Sequence, residues 1–350
     1  MPPKKMVKTL IIGDLHLYNK PHGLLNSQCS CIKKIIEKEQ PGEVIFLGDV
    51  FMRRRPIPSV LLAFKDLLQT IKKSCKKIHI LRGNHDSENK SDDGITALSL
   101  FSEAKVSIYN HTFYDKKRKY LFIPHYEDET IIKQELTKAP PGCIVFGHFG
   151  YFGSLNSAGD ADFSISLTQF RNSGFLGHIH RFNQGTIEVK GSLETVTLLG
   201  TPYSTNFTEG GKDNYYAILD DGETYRTEFK PIEHGPRYLV MDLESVEDNI
   251  DYINSKDYFT LLRININTLN EEDTIVNSVI SKLDVGYVEV KYKPVIDDKL
   301  ALSDYDPAAS ITDINDELIE RYINNSNTSI SKEALLSGLR LINEDQQDRN

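Results

Sequence analysis

The stretch Lys77-Ile78-His79-Ile80-Leu81-Arg82-Gly83-Asn84-His85-Asp86 decides how the chain is read. Its first half is a short apolar run with β-branched residues, too short for a stable helix and suited to a buried strand. Its second half stops that run and presents Asn84, His85 and Asp86, side chains able to bind metals or move protons. The pattern recurs. Val7 to Ile12 is an apolar run ended by Gly13-Asp14-Leu15-His16, and Glu43 to Leu47 ends in Gly48-Asp49. Cys143 to Phe146 leads into Gly147-His148, and Phe175-Leu176 into Gly177-His178-Ile179-His180. Segments of helical period lie between the first three runs. Leu24 to Glu39 places Leu25, Ile32, Ile35 and Ile36 on one face. Ser59, as a cap, opens a helix to Lys73 with Val60, Phe64, Leu67, Leu68 and Ile71 on one stripe. Strands alternating with helices predict an α/β layered domain.

In open α/β sheets, ligands bind outside the carboxyl ends of the strands, so these five clusters are predicted to converge. Each glycine allows a tight turn that aims the next side chain. Asp14, His16, Asp49, Asn84, His148, His178 and His180 then supply mixed oxygen and nitrogen donors, with His85 beside them. Such a set suits manganese, iron or zinc better than calcium or magnesium alone. It exceeds one tetrahedral site and suffices for two cations if one carboxylate bridges. Two cations roughly 3.5–4 Å apart clamp a phosphate and activate a water, so the pattern points to metal-assisted phosphoester hydrolysis. Four histidines and two aspartates buried without such a role would carry a severe desolvation cost.

Asp14-x-His16, Gly48-Asp49, Gly83-Asn84-His85-Asp86, Gly147-His148 and Gly177-His178-x-His180 resemble the motifs of calcineurin-like metallophosphoesterases. The resemblance implies an α/β fold, a metallophosphoesterase β-sandwich flanked by helices. It implies one metal site of Asp14, His16, Asp49 and His180, and a second of Asp49, Asn84, His148 and His178, with Asp49 bridging. His85 would face the substrate, stabilising the phosphorane or protonating the leaving oxygen. Within the superfamily, Gly48-Asp49-Val50-Phe51 followed by basic residues and proline, and the later Gly200-Thr201-Pro202-Tyr203, resemble the branch of SbcD and the meiotic-recombination nuclease, especially the phage recombination endonuclease subunits. That branch implies a DNA exo- and endonuclease with two Mn2+ per chain, Mg2+ as substitute, acting as a homodimer with an SbcC-like ABC-type ATPase carrying coiled coils. One departure stands out. Many relatives carry Asp or His three positions after the bridging Asp, supporting the catalytic His, and here that position is Met52.

The rest of the chain is read around this centre. A nuclease domain is expected over 1–235 and a small α+β cap domain that binds DNA over 236–295. Within the latter, Tyr238 to Asp242, Phe259 to Ile266 and Gly286 to Tyr292 read as strands and Glu271 to Lys282 as a helix. A linker over 296–310 and a C-terminal helical pair over 311–343 follow, the pair being the expected ATPase-docking element. Arg53, Arg54 and Arg55 sit in a loop at the rim, placed to grip a DNA phosphate. His22, His79, His111, His125 and His234 lack motif context and read as structural or exposed. Cys29, Cys31, Cys75 and Cys143 have neither zinc spacing nor the number for a disulfide scaffold.

Composition sets outer bounds. The 350 residues carry a net charge of −9, with 30 Lys+Arg against 27 Asp+Glu before residue 236 and 11 against 23 after it. An acidic tail on a near-neutral body argues against binding polyanions by bulk charge, so DNA would be held by local patches and metal. No apolar run approaches the ~18 residues of a membrane span. The opening Pro-Pro-Lys-Lys runs into a strand without a signal peptide, which predicts a cytoplasmic protein with no membrane partner. The rival readings are a small-molecule phosphodiesterase or protein phosphatase on the same fold, and a non-catalytic scaffold.

Overall fold

The computed structural model describes residues 7–154, 163–221, 225–266 and 273–292. The expected linker and helical pair lie outside the described residues. The body opens with β1 (Lys8–Ile12), α1 (Leu24–Glu39), β2 (Glu43–Phe46), α2 (Pro58–Ser74), β3 (Lys77–Leu81) and β4 (Val106–Tyr109). It continues with β5 (Phe113–Asp115), β6 (Tyr120–Ile123), α3 (Glu129–Lys138), β7 (Ile144–His148), β8 (Gly174–Gly177), β9 (Asn183–Val189), β10 (Ser192–Leu198), β11 (Tyr215–Asp221) and β12 (Tyr225–Pro231).

These strands form two six-stranded sheets, ordered β12-β11-β1-β2-β3-β4 and β5-β6-β7-β8-β10-β9. β1 to β4 run parallel, as do β6, β7, β8 and β10, and antiparallel pairings add β11 and β12 beside β1, β5 beside β6 and β9 beside β10. Ile11, Ile45, Leu47 and Leu81 of the first sheet share one apolar layer with Tyr120, Phe122, Ile144, Phe146 and Phe175 of the second. Their neighbours Leu10, Ile12, Val44, Phe46, Ile78 and Ile80 pack outward against α1 and α2, while α3 covers the second sheet through Ile132 and Leu136. A strand covered on both faces reads as a continuous apolar run, which is why the sequence shows no alternation there. His79 lies in the inter-sheet layer, stacked on Phe122 and bonded to the Tyr109 hydroxyl at 2.7 Å.

One helix start differs from expectation. α2 begins at Pro58 with Ile57 as its cap, so Ser59 falls inside the first turn. Proline at the first helical position presets φ and lacks the N–H that would otherwise be orphaned, so no hydroxyl cap is needed.

After β12 come β13 (Gly235–Asp242), α4 (Leu243–Asp248), α5 (Ile250–Ile253), β14 (Tyr258–Ile266), α6 (Asp273–Ile280) and β15 (Tyr287–Tyr292). The three strands form a separate parallel sheet in chain order, its core made by Leu239, Val246, Ile253, Leu262, Ile264 and Val279. Tyr238, Phe259 and Leu261 pack with Tyr18, Leu24 and Phe207 of the body. No helix among the described residues is long and apolar enough to cross a membrane.

Candidate metal centre

Each expected donor follows the carboxyl end of a parallel strand: Asp14 and His16 after β1, Asp49 after β2, Asn84 and His85 after β3, His148 at the end of β7, His178 and His180 after β8. The turns are built for close approach. A Cβ added to Gly83 would lie 2.1 Å from Asp49 Oδ1, and one added to Gly177 would lie 2.4 Å from Asp14 Oδ1. His16 and Asp49 (each φ 44°) and His178 (φ 82°) occupy left-handed backbone, a costly conformation for non-glycine residues that surrounding structure must hold. The holding contacts are specific. His16 N–H donates to the Asp49 carbonyl (2.8 Å) and Leu17 N–H to that of Val50 (2.9 Å), stitching the loops after β1 and β2. Asp86 accepts from the N–H groups of Val50 (3.2 Å), Phe51 (3.1 Å) and Gly83 (3.0 Å), joining the loops after β2 and β3. Gln28 of α1 donates to the His16 carbonyl at 3.1 Å.

The side chains gather into two groups, Asp14 with His16 and His180, and Asp49 with His148 and His178, each with ligand atoms within 4.8 Å of one another. Asp49 Oδ2 reaches both groups, 3.7 Å from His16 Nε2 and 3.4 Å from His148 Nε2. Asn84 Oδ1 closes the second group, 3.1 Å from His148 Nε2 and 2.9 Å from His178 Nδ1. Asp14, His16, Asp49 and His148 form a buried floor, while Asn84, His85, His178 and His180 are half-buried at the open side.

The donors fit a pair of cations. His148 Nδ1–H donates to the Leu47 carbonyl (2.8 Å), which directs its Nε2 lone pair toward Asp49 and Asn84. His180 Nδ1 is bonded to Glu209 (2.7 Å), and its Nε2 faces His16 Nε2 at 2.9 Å. Two imidazole lone pairs at that distance repel unless a proton or a cation lies between them. Asp14 Oδ2 accepts from His178 N–H (2.8 Å), whereas its Oδ1 is buried without a hydrogen bond.

Electrostatics follow from this crowding. Burial holds His16 and His178 near 3, so both are neutral, as ligation requires. Burial also disfavours charged His148, but Asp49 and Asp14 outweigh it and raise the imidazole to about 9. Burial pushes Asp14 up to about 7. For Asp49, burial opposes ionisation and the surrounding imidazoles, His148 foremost, overcome it, holding the carboxyl well below its usual range.

The Calcineurin-like phosphoesterase family matches residues 7–182, half of the chain and every donor of the two groups. The chain belongs to that family. The family is dimetal-dependent and hydrolytic, and the two donor groups described above are those such a pair of cations needs. Among solved structures, the chain is similar to a Pseudomonas putida nuclease MPE (14% identity, 64% of this chain and 86% of that chain covered, TM-score 0.30). It is also similar to a dimetal phosphatase from Danio rerio (12% identity, 65% and 98% covered, TM-score 0.33). No curated protein sequence matches the chain.

In this phosphoesterase His85 is placed by main chain. Its N–H donates to Asp49 Oδ1 (2.7 Å) and its Nδ1–H to the Met52 carbonyl (2.8 Å), leaving Nε2 as the free ring nitrogen. At the position where a polar side chain is expected, the support comes from the backbone of Met52 itself. The triple arginine divides. Arg54 is spent on its own surroundings, donating to the carbonyls of Ser87 (3.2 Å) and Asn89 (2.9 Å). Exposed Arg53 lies over the Tyr18 ring and donates to its hydroxyl (2.9 Å), and Arg55 is exposed.

Two residues that the sequence reading assigned no role belong to the centre. Glu209 holds His180. His125, read as structural or exposed, packs 5.6 Å from the His178 ring and 6.1 Å from the His148 ring, both of its ring nitrogens buried without hydrogen bonds. His125 carried a usable signal, since it follows β6 as the other donors follow their strands. Glu209 carried none, lying beyond the Gly200-Thr201-Pro202-Tyr203 motif in a polar turn with no donor pattern of its own.

Proposed function

We propose that this phosphoesterase is a DNA exo- and endonuclease, the catalytic subunit of an SbcCD-like repair and recombination complex, working with two Mn2+ per chain. In this reading Asp14, His16 and His180 would hold one metal and Asn84, His148 and His178 the other, with Asp49 a ligand available to both. The bound cations supply a reactive water and neutralise phosphate charge. The chain's own groups do the rest. Left-handed backbone at His16, Asp49 and His178 aims the donors, and His85 offers Nε2 to the phosphate or the leaving oxygen, its ring orientation set by the Met52 carbonyl.

The observation that favours DNA over a compact substrate is the pair of exposed arginines, Arg53 and Arg55, in the loop that follows Asp49. Arg53 stacks on Tyr18, Tyr18 packs against the buried Leu24, Tyr238 and Leu261 cluster that joins the body to the small domain, and Phe207, packed on the same cluster, lies two residues from Glu209, which holds His180. Exposed arginines near the metal centre, with a second sheet packed on the same side of the body, suit an extended polyanion. Arg53 and Arg55 would take phosphates, residues 236–295 would act as the cap, and the segment 311–343 would dock the ATPase in a homodimer. Incubation with end-labelled duplex and hairpin DNA in Mn2+ tests the reading. Degradation is expected, and its loss in Asp49→Asn and His85→Ala. Hydrolysis of nitrophenyl phosphodiesters with DNA left intact would instead favour the small-molecule phosphodiesterase.

A further inference from the structure

The two metal groups are not supported alike. Among the site histidines, His148 and His85 donate Nδ1–H to main-chain carbonyls, whereas His180 donates to a carboxylate, Glu209 Oε1, at 2.7 Å. Glu209 is 4% exposed, and its orientation is fixed by its own turn. Oε1 also accepts from Asn206 Nδ2 (2.9 Å), and Oε2 from the N–H (2.8 Å) and hydroxyl (2.9 Å) of Thr205. A ligating histidine backed by a carboxylate is more basic and more rigidly oriented than one backed by a carbonyl.

The turn is in turn held by the small domain. The Phe207 ring meets Tyr238 of β13 edge-on at 5.0 Å, and its face carries the Arg263 guanidinium of β14 at 4.1 Å. Arg263 is steadied by Glu289 of β15, at 3.0 and 3.2 Å. The turn backbone presses against β13, since a Cβ on Gly210 would fall 2.5 Å from the Tyr238 carbonyl oxygen. Contacts therefore run from Glu289 through Arg263 to Phe207, and the turn that Phe207 shares with Glu209 carries them to His180, whereas His148 is supported by the Leu47 carbonyl just after β2 and no comparable line reaches it among the described residues.

We infer that Glu209 is a positioning residue for His180, and that the small domain, through Arg263 and Phe207, sets the affinity of the Asp14–His16–His180 metal site without setting that of the other. The inference rests on the dimetal reading above. It makes the two metals inequivalent and places one under the influence of whatever contacts the small domain.

The test is a calorimetric Mn2+ titration of chelator-stripped full-length protein, paired with Mn2+ EPR. Wild type is expected to bind two ions. Glu209→Gln should weaken one of the two about 10- to 100-fold, leave the other unchanged, and lose the spin-coupled signal at limiting Mn2+. Phe207→Ala and Arg263→Ala should weaken the same ion by a smaller factor, with unchanged circular dichroism. Equal weakening of both ions, or none, in Glu209→Gln overturns the inference. A selective effect there with wild-type affinities in Phe207→Ala and Arg263→Ala overturns the small domain's part. Should Glu209→Gln fail to fold, Arg263→Ala on its partly exposed side chain carries the test. Wild type that binds no Mn2+ at all would fail the dimetal reading itself, a result distinct from each of these.

Discussion

The sandwich buries ionisable groups at both ends, and the ends differ in how those groups are satisfied. At the amino end of β2 and β3, Glu43 is paired with Arg118 and lies 3.8 Å from His79, whose other ring nitrogen is bonded to the Tyr109 hydroxyl. Opposite charges meet there, the Glu43 carboxylate taking the Arg118 guanidinium, while Glu43 Oε2 and His79 Nε2 are buried without a hydrogen bond. At the carboxyl end, Asp14, Asp49, His16 and His148 are equally buried with no lysine or arginine among their described partners. Instead, donors face donors. A buried acid that meets the protein's own guanidinium is structure, and a group of acids and imidazoles that converges on a shared point with lone pairs opposed is built for a cation.

The contrast breaks most visibly at Asp14. Asp14→Asn is expected to lower Mn2+-dependent phosphodiesterase activity on the order of 10³-fold, since a ligand that stabilises charge is lost. The metal-free variant should melt at or above the wild-type temperature, because a buried carboxylate with an unbonded oxygen is removed. The far end should answer oppositely. Glu43→Gln removes the carboxylate charge facing Arg118 and should cost about 1–3 kcal/mol in denaturant unfolding, with activity and Mn2+ stoichiometry unchanged.

A smaller effect sharpens the same comparison through pH. In metal-free protein, His16 and His178 (near 3) and His125 (near 4) stay neutral when folded, all depressed chiefly by burial, while the unfolded chain takes up protons near 6.5. Their contribution is therefore present above 6.5 and lost as pH falls. Asp14 and Asp86, raised to about 7 chiefly by burial, act against this loss and offset part of it. His148, raised to about 9, contributes stability fully below 6.5 that is lost as pH rises through 9. Thermal melts of chelated protein should thus peak near neutrality, and a stability still rising at pH 9 would refute this balance. The smallest effect is expected at Met52→Ala. The His85 contact is to a main-chain carbonyl, so activity should stay within about twofold, against the loss in His85→Ala.

Much of this centre was legible because its signals are local. An apolar run that stops at glycine tells where a strand ends, and the next residue tells which donor stands there, as at Gly48-Asp49 and Gly147-His148. Ser59 misled because hydroxyl caps are frequent, yet a proline one residue earlier makes one unnecessary. The replacement for a polar side chain at Met52 was not legible, because main-chain carbonyls are present at every position and leave no trace in side-chain identity. Glu209 was hidden for another reason, since a glutamate in a polar turn is indistinguishable in sequence from a solvated one.

The sequence by itself determined which side chains stand at the strand ends and that nitrogen and oxygen donors are mixed there, because strand termination and residue type are properties of a few consecutive residues. Only the tertiary structure decided how those donors are grouped, which ring nitrogen each histidine presents, and which neighbours hold them. His178 bonds to Asp14 across 164 positions, and His180 is held by a turn wedged against another sheet. Such pairings depend on how sheets stack and where chains cross, and no window along the chain contains both partners.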